Sequence, residues 1–91
     1  MTLEELSTRK RVSMSQLIKA VKQSAKKCKP IDQVVVMPLL RRIPDASRND
    51  IVQIAVICTE GMAALLKAGD FEGAQTNHKL LLLFISSFID R

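Results

Sequence analysis

The sequence LLKAGDFEGA, residues 65–74, joins the two longest apolar segments of the chain, Ile51–Leu66 and Phe71–Ile89. Gly69 is the residue type most often found just beyond a helix end, because glycine adopts the left-handed conformation without a Cβ penalty. Asp70 is a preferred N-cap, because its carboxylate accepts the free N–H groups of the following turn. Glycine followed at once by aspartate therefore predicts an αα-hairpin.

The residues before this hairpin predict further helices. Ser13 and Gln16 have the spacing of a capping box, and an amphipathic helix follows them until Pro30. Its apolar residues recur at helical spacing: Leu17, Ile18, Val21, Ala25 and Cys28. Residues 32–43 are interpreted as a helix with a kink or break at Pro38. Residues 34–36 are all valine and could form a strand, but no partner strand is evident.

The N-terminal residues leave two alternatives open. Thr2 and Glu5 have capping-box spacing, so residues 2–8 could form one or two helical turns. Such a short helix would need to dock on the rest of the protein to be stable. Residues 1–12 could instead be a flexible basic segment.

The chain is predicted to be one all-α domain, residues 1–91, with four or five helices in an antiparallel bundle. Only three aromatic residues are present, so the core should be mainly aliphatic. The predicted core is Leu17, Ile18, Val21, Ile51, Ile54, Ala55, Cys58, Met62, Leu65, Phe71, Ala74, His78, Leu81, Leu82, Ile85 and Phe88.

The last segment has apolar residues on two sides. If it is a regular helix, Leu80, Leu83 and Phe84 point away from the stripe that contains Phe71 and His78. We interpret these three residues as an interface with a second copy of the chain or with a partner helix. The alternative is that the kinked helix at 32–43 covers them within the monomer.

The formal net charge is +5, and the excess of basic residues is local. The candidate partner-binding residues are Arg9, Lys10, Arg11, Lys19, Lys22, Lys26 and Lys29, with no acidic residue between Arg9 and Pro30. Such a stripe can bind phosphates, an acidic protein or an anionic membrane surface, or it can simply be a solvated helix face. Since no aromatic residue lies near the stripe, contact with RNA or DNA would be mostly non-specific.

Catalytic and metal-binding patterns are absent from the sequence. His78 is the only histidine, no Gly-rich phosphate loop is present, and no acidic residues have metal-ligand spacing. Cys28 and Cys58 are interpreted as two buried thiols in a reducing compartment. The sequence therefore predicts a protein that is not an enzyme and needs no cofactor.

The expected location is intracellular, either cytoplasmic or nuclear. The N-terminus is polar and does not resemble a signal peptide. The longest apolar run, residues 80–85, is far shorter than the roughly 20 residues of a membrane span. No membrane span is therefore expected.

Residues 66–74 together with His78 resemble the last helical hairpin of the domain shared by the COPII coat protein Sec31 and the steroid receptor RNA activator protein. The resemblance covers about forty residues. The chain differs from that family in two respects. The residues after His78 form an apolar run, and the tryptophan that some family members contain is missing from this chain. The turn is also similar to tetratricopeptide and MIT-type hairpins. The resemblance implies a helical bundle that binds other proteins, and it implies no catalytic residue.

Two functions follow from these patterns. The first is a non-enzymatic protein-protein interaction domain of the adaptor or scaffold type, with another protein or a second copy of itself as partner. The alternative is a basic accessory module that binds RNA or DNA through phosphate contacts. Salt dependence separates the two, because phosphate binding weakens steeply as salt rises and apolar contacts hardly change.

Overall fold

A computed structural model describes the backbone of residues 2–44 and 46–89, and their side chains through Ser86. This part of the chain forms five helices, and no strand occurs in it. The helices are α1 (Leu3–Ser7), α2 (Met14–Lys26), α3 (Gln33–Arg41), α4 (Arg48–Lys67) and α5 (Phe71–Ile89). The prediction of an all-α bundle is confirmed.

Short polar side chains begin the first four helices. The hydroxyls of Thr2, Ser13 and Ser47 and the carboxylate of Asp32 accept hydrogen bonds from backbone N–H groups in the first turn. Ser13 with Gln16, as predicted, and Ser47 with Asp50 form complete capping boxes. Since helix starts leave N–H groups without partners, these residues determine where each helix begins.

The ends of α2 and α4 have the same backbone geometry. Gly69 N–H donates to the Leu66 carbonyl and Asp70 N–H to the Leu65 carbonyl, which is the Schellman pattern. Gly69 has φ of 82°, as predicted, whereas the corresponding residue after α2 is Cys28, with φ of 53°. The predicted α2 continued to Pro30, but it ends at Lys26 because the chain turns left-handed at Cys28.

Exchanging residue types at these two left-handed positions should change stability in opposite directions. We expect Gly69→Val to lower the free energy of unfolding by about 1 kcal/mol or more, and Cys28→Gly to raise it by about 1 kcal/mol. Urea denaturation would measure both, with Cys28→Ala as the control that keeps a Cβ. A Cys28→Gly variant no more stable than Cys28→Ala would contradict the left-handed assignment.

Pro38 lies inside α3, where the sequence interpretation allowed a kink or a break. Its ring removes one backbone donor, so the Val34 carbonyl lacks the usual helical partner. Val34 and Pro38 are both exposed, and water can therefore satisfy that carbonyl. The helix continues because Val36 and Leu39, on its other side, are buried in the core.

The bundle is flat, with dimensions of 36 × 31 × 19 Å, and its short dimension is about two helix diameters. Helix α4 packs against α2 and α5, and these contacts form one layer. Helices α1 and α3 contact each other, and they contact α2 and α5 respectively. The core lies between the two layers. The N-terminal segment, for which the sequence allowed either a short helix or a flexible arm, contains helix α1. Leu3 and Leu6 of α1 are buried in the core.

The predicted core is correct for α2 and α4 and largely wrong for α5. Leu17, Val21, Ile54, Cys58 and Leu65 are buried. The other predicted residues of α2 and α4 are partly buried: Ile18, Ile51, Ala55 and Met62. On α5, Ala74 is buried and Leu81 partly buried, but four predicted core residues are exposed: Phe71, His78, Leu82 and Ile85. The prediction for Phe88 lies outside the described side chains.

Helix α5 is rotated relative to the prediction. Its buried face contains Gly73, Asn77, Leu80 and Phe84, which recur at intervals of three and four residues. The connection between α2 and α3 covers one end of this face, where Gly73 lies against Pro30 and Asn77 binds Ile31. Helix α3 covers the other end, where Phe84 lies beside Met37 and the loop that follows α3. Because both sides of α5 carry apolar residues, the sequence pattern could not show which side packs against the layer of α1 and α3.

Asn77 is a fully buried polar residue of this core. Its Oδ1 accepts from the Ile31 N–H at 2.7 Å, and its Nδ2 donates to the Cys58 carbonyl at 3.1 Å. The Cys58 thiol donates to the Asn77 carbonyl at 3.3 Å. Asn77 thus joins α5 to α4 and to the connection between α2 and α3. A Cβ at Gly61 would lie 3.2 Å from Nδ2 and 3.4 Å from the Cβ of Ala25, so Gly61 lies where α4 closely approaches α5 and α2.

Candidate functional site

The outer side of α4 and α5, opposite α1 and α3, exposes two stripes of residues. Both stripes have alternating spacings of four and three residues, the pattern with which helices contact other helices. On α4 the stripe is Val52, Val56, Thr59, Ala63 and Leu66, and on α5 it is Phe71, Gln75, His78, Leu82 and Ile85; all ten residues are exposed. We call these two stripes together the outer face.

A shallow groove of about 250 Å³ runs between the two stripes near the hairpin turn. Its lining is Met62, Leu66, Phe71, Ala74, Gln75 and His78. Phe71 is 66% exposed and Leu66 is 47% exposed, so the groove has apolar walls that face solvent. His78 lies at this groove, which corrects its prediction as a core residue.

The sequence predicted an interface on the opposite side of α5, at Leu80, Leu83 and Phe84. Leu80 and Phe84 are buried in the core of the monomer, and only Leu83 is exposed. The premise of an exposed second face is therefore wrong for Leu80 and Phe84, because α3 and the loop after it cover that side. The alternative that the sequence left open, coverage by the helix at 32–43, is the observed arrangement.

All seven residues of the predicted basic stripe are exposed: Arg9, Lys10, Arg11, Lys19, Lys22, Lys26 and Lys29. Lys19, Lys22 and Lys26 line one side of α2 together with Gln23. The carbonyl of Arg9 accepts a hydrogen bond from the Arg42 guanidinium, which adds a cation beside the connection between α1 and α2. The basic residues thus extend along α2 and into the connections at both of its ends.

The two cysteines differ in their exposure to solvent. Burial raises the pKa of the Cys58 thiol to about 11, which keeps it protonated at neutral pH. Cys28 is exposed, which corrects its prediction as a buried thiol, because α2 ends before it and Cys28 lies in the connection between α2 and α3. The described His, Cys, Asp and Glu side chains form no group of three that could hold a metal ion.

Among the described helices, α4 has the length and hydropathy that would allow it to cross a membrane, with a mean hydropathy of 1.3. The core helix of a soluble protein meets the same criteria. Residues on one side of α4, including Ile54, Cys58 and Leu65, are buried in this bundle. The expectation of no membrane span remains a prediction.

Comparison with protein-family models, curated proteins and solved structures finds no match to this chain. The resemblance of residues 66–78 to the hairpin of the Sec31 and steroid receptor RNA activator domain therefore stays a prediction. The described residues thus form an exposed apolar surface on α4 and α5 and a basic surface along α2. The two surfaces adjoin where Lys22 lies beside Val52 and Val56.

Proposed function

We propose that this chain is a non-enzymatic, intracellular protein-interaction domain of the adaptor or scaffold type, and that it binds its partner through the outer face of α4 and α5. The observation that supports this proposal most directly is the exposure of large apolar side chains on two adjacent helices. Phe71, Leu66 and Ile85 are each about half exposed or more. Contiguous apolar surface of this kind usually marks a binding site.

The shape of the outer face favours a helical partner. Two helices side by side leave a groove between their stripes, and an amphipathic helix can place its apolar residues in such a groove. Each large apolar side chain that becomes fully buried would contribute about 1.5–3 kcal/mol before the costs of association. The Sec31-like resemblance supports the same class of function, since it too implies a bundle that binds proteins.

This function can be tested by recovering partners with a face variant and a matched control. Leu66→Glu combined with Leu82→Glu places charges on both stripes, and the fold should be kept because both side chains are exposed. Val34→Glu is the control, since Val34 is an exposed apolar residue on α3, outside the outer face. We expect quantitative mass spectrometry of nuclease-treated cell extracts to show partners bound by wild type and control but not by the face variant. Equal recovery by both variants would contradict the proposal.

A second function is supported by the basic surface, where Lys19, Lys22 and Lys26 line one exposed side of α2. We propose as the alternative that this surface binds RNA or DNA phosphates. Three phosphate contacts with a duplex should weaken binding about 40-fold between about 50 and 200 mM salt. Changing the three lysines to glutamate should abolish binding to RNA or heparin while the fold is kept. Retained binding would exclude the basic surface as the site.

A further inference from the structure

We infer that the outer face binds a second copy of this chain, with α4 of each copy lying antiparallel on α5 of the other. This inference rests on the proposed function, because it names the partner of the same surface. Three observations support it: the spacing of the exposed residues, the charges at the edges of the face, and the positions of those charges along the helices.

The spacing of both stripes matches helix-on-helix packing. Each exposed stripe repeats every seven residues over about four turns, and adjacent helices that pack at a small angle use this repeat. The stripes are apolar at Val52, Val56 and Leu66 on α4 and at Phe71, Leu82 and Ile85 on α5. Two copies placed face to face would form a four-helix arrangement in which all neighbouring helices are antiparallel.

The edges of the outer face carry charges of both signs. On α4, Glu60 and Lys67 lie seven residues apart, on the side of the stripe that faces α2. On α5, Glu72 and Lys79 lie seven residues apart, on the side of the stripe away from α4. All four side chains are exposed. The α5 edge therefore carries one acid and one base, and the α4 edge carries Glu60 and Lys67, with Lys22 of α2 beside Glu60.

The antiparallel hairpin determines the relative heights of these charges. Cys58 bonds to Asn77, and Gly61 also lies against Asn77, so these residues occupy the same level of the helix pair. Glu60 therefore lies close to the level of Lys79. By the same register, Lys67 lies close to the level of Glu72, near the hairpin turn.

These heights make the face complementary to itself. A two-fold axis parallel to the helices places α4 of one copy on α5 of the other without changing the height of any residue. Glu60 then faces Lys79 of the second copy, and Lys67 faces Glu72 of the second copy. The symmetry repeats both pairs, which gives four opposite-charge pairs along the edges of the two stripes.

The size of the face predicts a reversible dimer. The stripe on α4 is about 21 Å long, given a rise of about 1.5 Å per residue, and two adjacent helices span about 20 Å. These dimensions give about 400 Å² per copy and about 800 Å² in total, an area that is typical of weak, transient interfaces and smaller than that of stable ones. We therefore expect dissociation in the micromolar range, which sedimentation equilibrium can measure.

The test uses charge reversal at Glu60 and Lys79 in the full chain. Glu60→Lys and Lys79→Glu each replace two attractive pairs with two repulsive ones, and each variant alone should dimerise about tenfold more weakly than wild type. An equimolar mixture of the two variants restores opposite charges in both pairs, so it should form a heterodimer with nearly wild-type affinity. Circular dichroism should show the same helical content in all samples, since both residues are exposed.

Several outcomes would overturn the inference. These are a wild type that stays monomeric to several hundred micromolar, or a mixture that associates no better than its components. If a mixture of Glu60→Lys and Lys67→Glu dimerises with wild-type affinity instead, α4 of one copy packs on α4 of the other and the proposed arrangement is wrong. A monomeric wild type whose partners are lost with Leu66→Glu/Leu82→Glu and kept with Val34→Glu would overturn the dimer and retain the proposed function. A monomeric wild type whose partners are recovered equally well with Leu66→Glu/Leu82→Glu and with Val34→Glu would overturn both proposals.

Discussion

Replacing Phe84 with alanine should lower the free energy of unfolding by about 3–5 kcal/mol, the usual cost of removing a buried aromatic ring. Phe84 is 3% exposed and belongs to the cluster that joins α5 to α3. A domain of this size is stable by only about 5–14 kcal/mol, so one such substitution removes a large share of that stability. The melting temperature should fall by more than about 10 °C.

Leu83→Ala is the matched control for this prediction, because Leu83 is the preceding residue on the same helix and is 38% exposed. We expect it to cost less than about 1 kcal/mol. Urea denaturation and thermal melts of both variants would measure the difference. Equal losses for Leu83→Ala and Phe84→Ala would contradict the observed rotation of α5.

Replacing Asn77 with leucine should lower the free energy of unfolding by about 2–3 kcal/mol, although leucine has a similar size and is more apolar. The substitution removes the acceptor for the Ile31 N–H, which is buried next to the core. A buried donor left without an acceptor costs about 1–3 kcal/mol. It also removes the bond to the Cys58 carbonyl.

Two variants and one local measurement make the Asn77 prediction specific. Asn77→Asp should also destabilise the protein at neutral pH, because a carboxylate cannot donate to the Cys58 carbonyl and its charge would be buried. Gln75→Leu, two residues earlier at an exposed position, should cost little. Hydrogen exchange at the Ile31 amide should be slow in wild type and faster in Asn77→Leu. Unchanged exchange there would contradict the proposed role of Oδ1.

The local features of the chain could be predicted because short-range chemistry determines them. Ser13 with Gln16 begins α2, and Gly69 followed by Asp70 separates α4 from α5, as capping preferences predict. The end of α2 was missed because Cys28, a residue with a Cβ, occupies the left-handed position that usually requires glycine. Helix α3 begins after Asp32, whose carboxylate accepts from the Val34 N–H, as N-cap preferences predict.

The candidate site was predicted only in part. The basic residues of α2 were correctly expected to be exposed, since charged side chains are costly to bury. The apolar interface was expected at Leu80, Leu83 and Phe84, but the exposed stripe on α5 contains Phe71, Leu82 and Ile85. Asn77 was not predicted as a core residue because asparagine is usually exposed, although Asn77 has helical spacing with Gly73, Leu80 and Phe84.

The sequence by itself determined the all-α class, the places where most helices begin and end, and the burial of one side of α2 and α4. These depend on caps, turns and a single apolar stripe, all of which are local. Only the tertiary structure decided which side of α5 is buried, because both sides of that helix are apolar. Helix α3 packs on the side of α5 that contains Leu80 and Phe84, and Asn77 on this side bonds to the distant Ile31. The opposite side of α5 is therefore exposed.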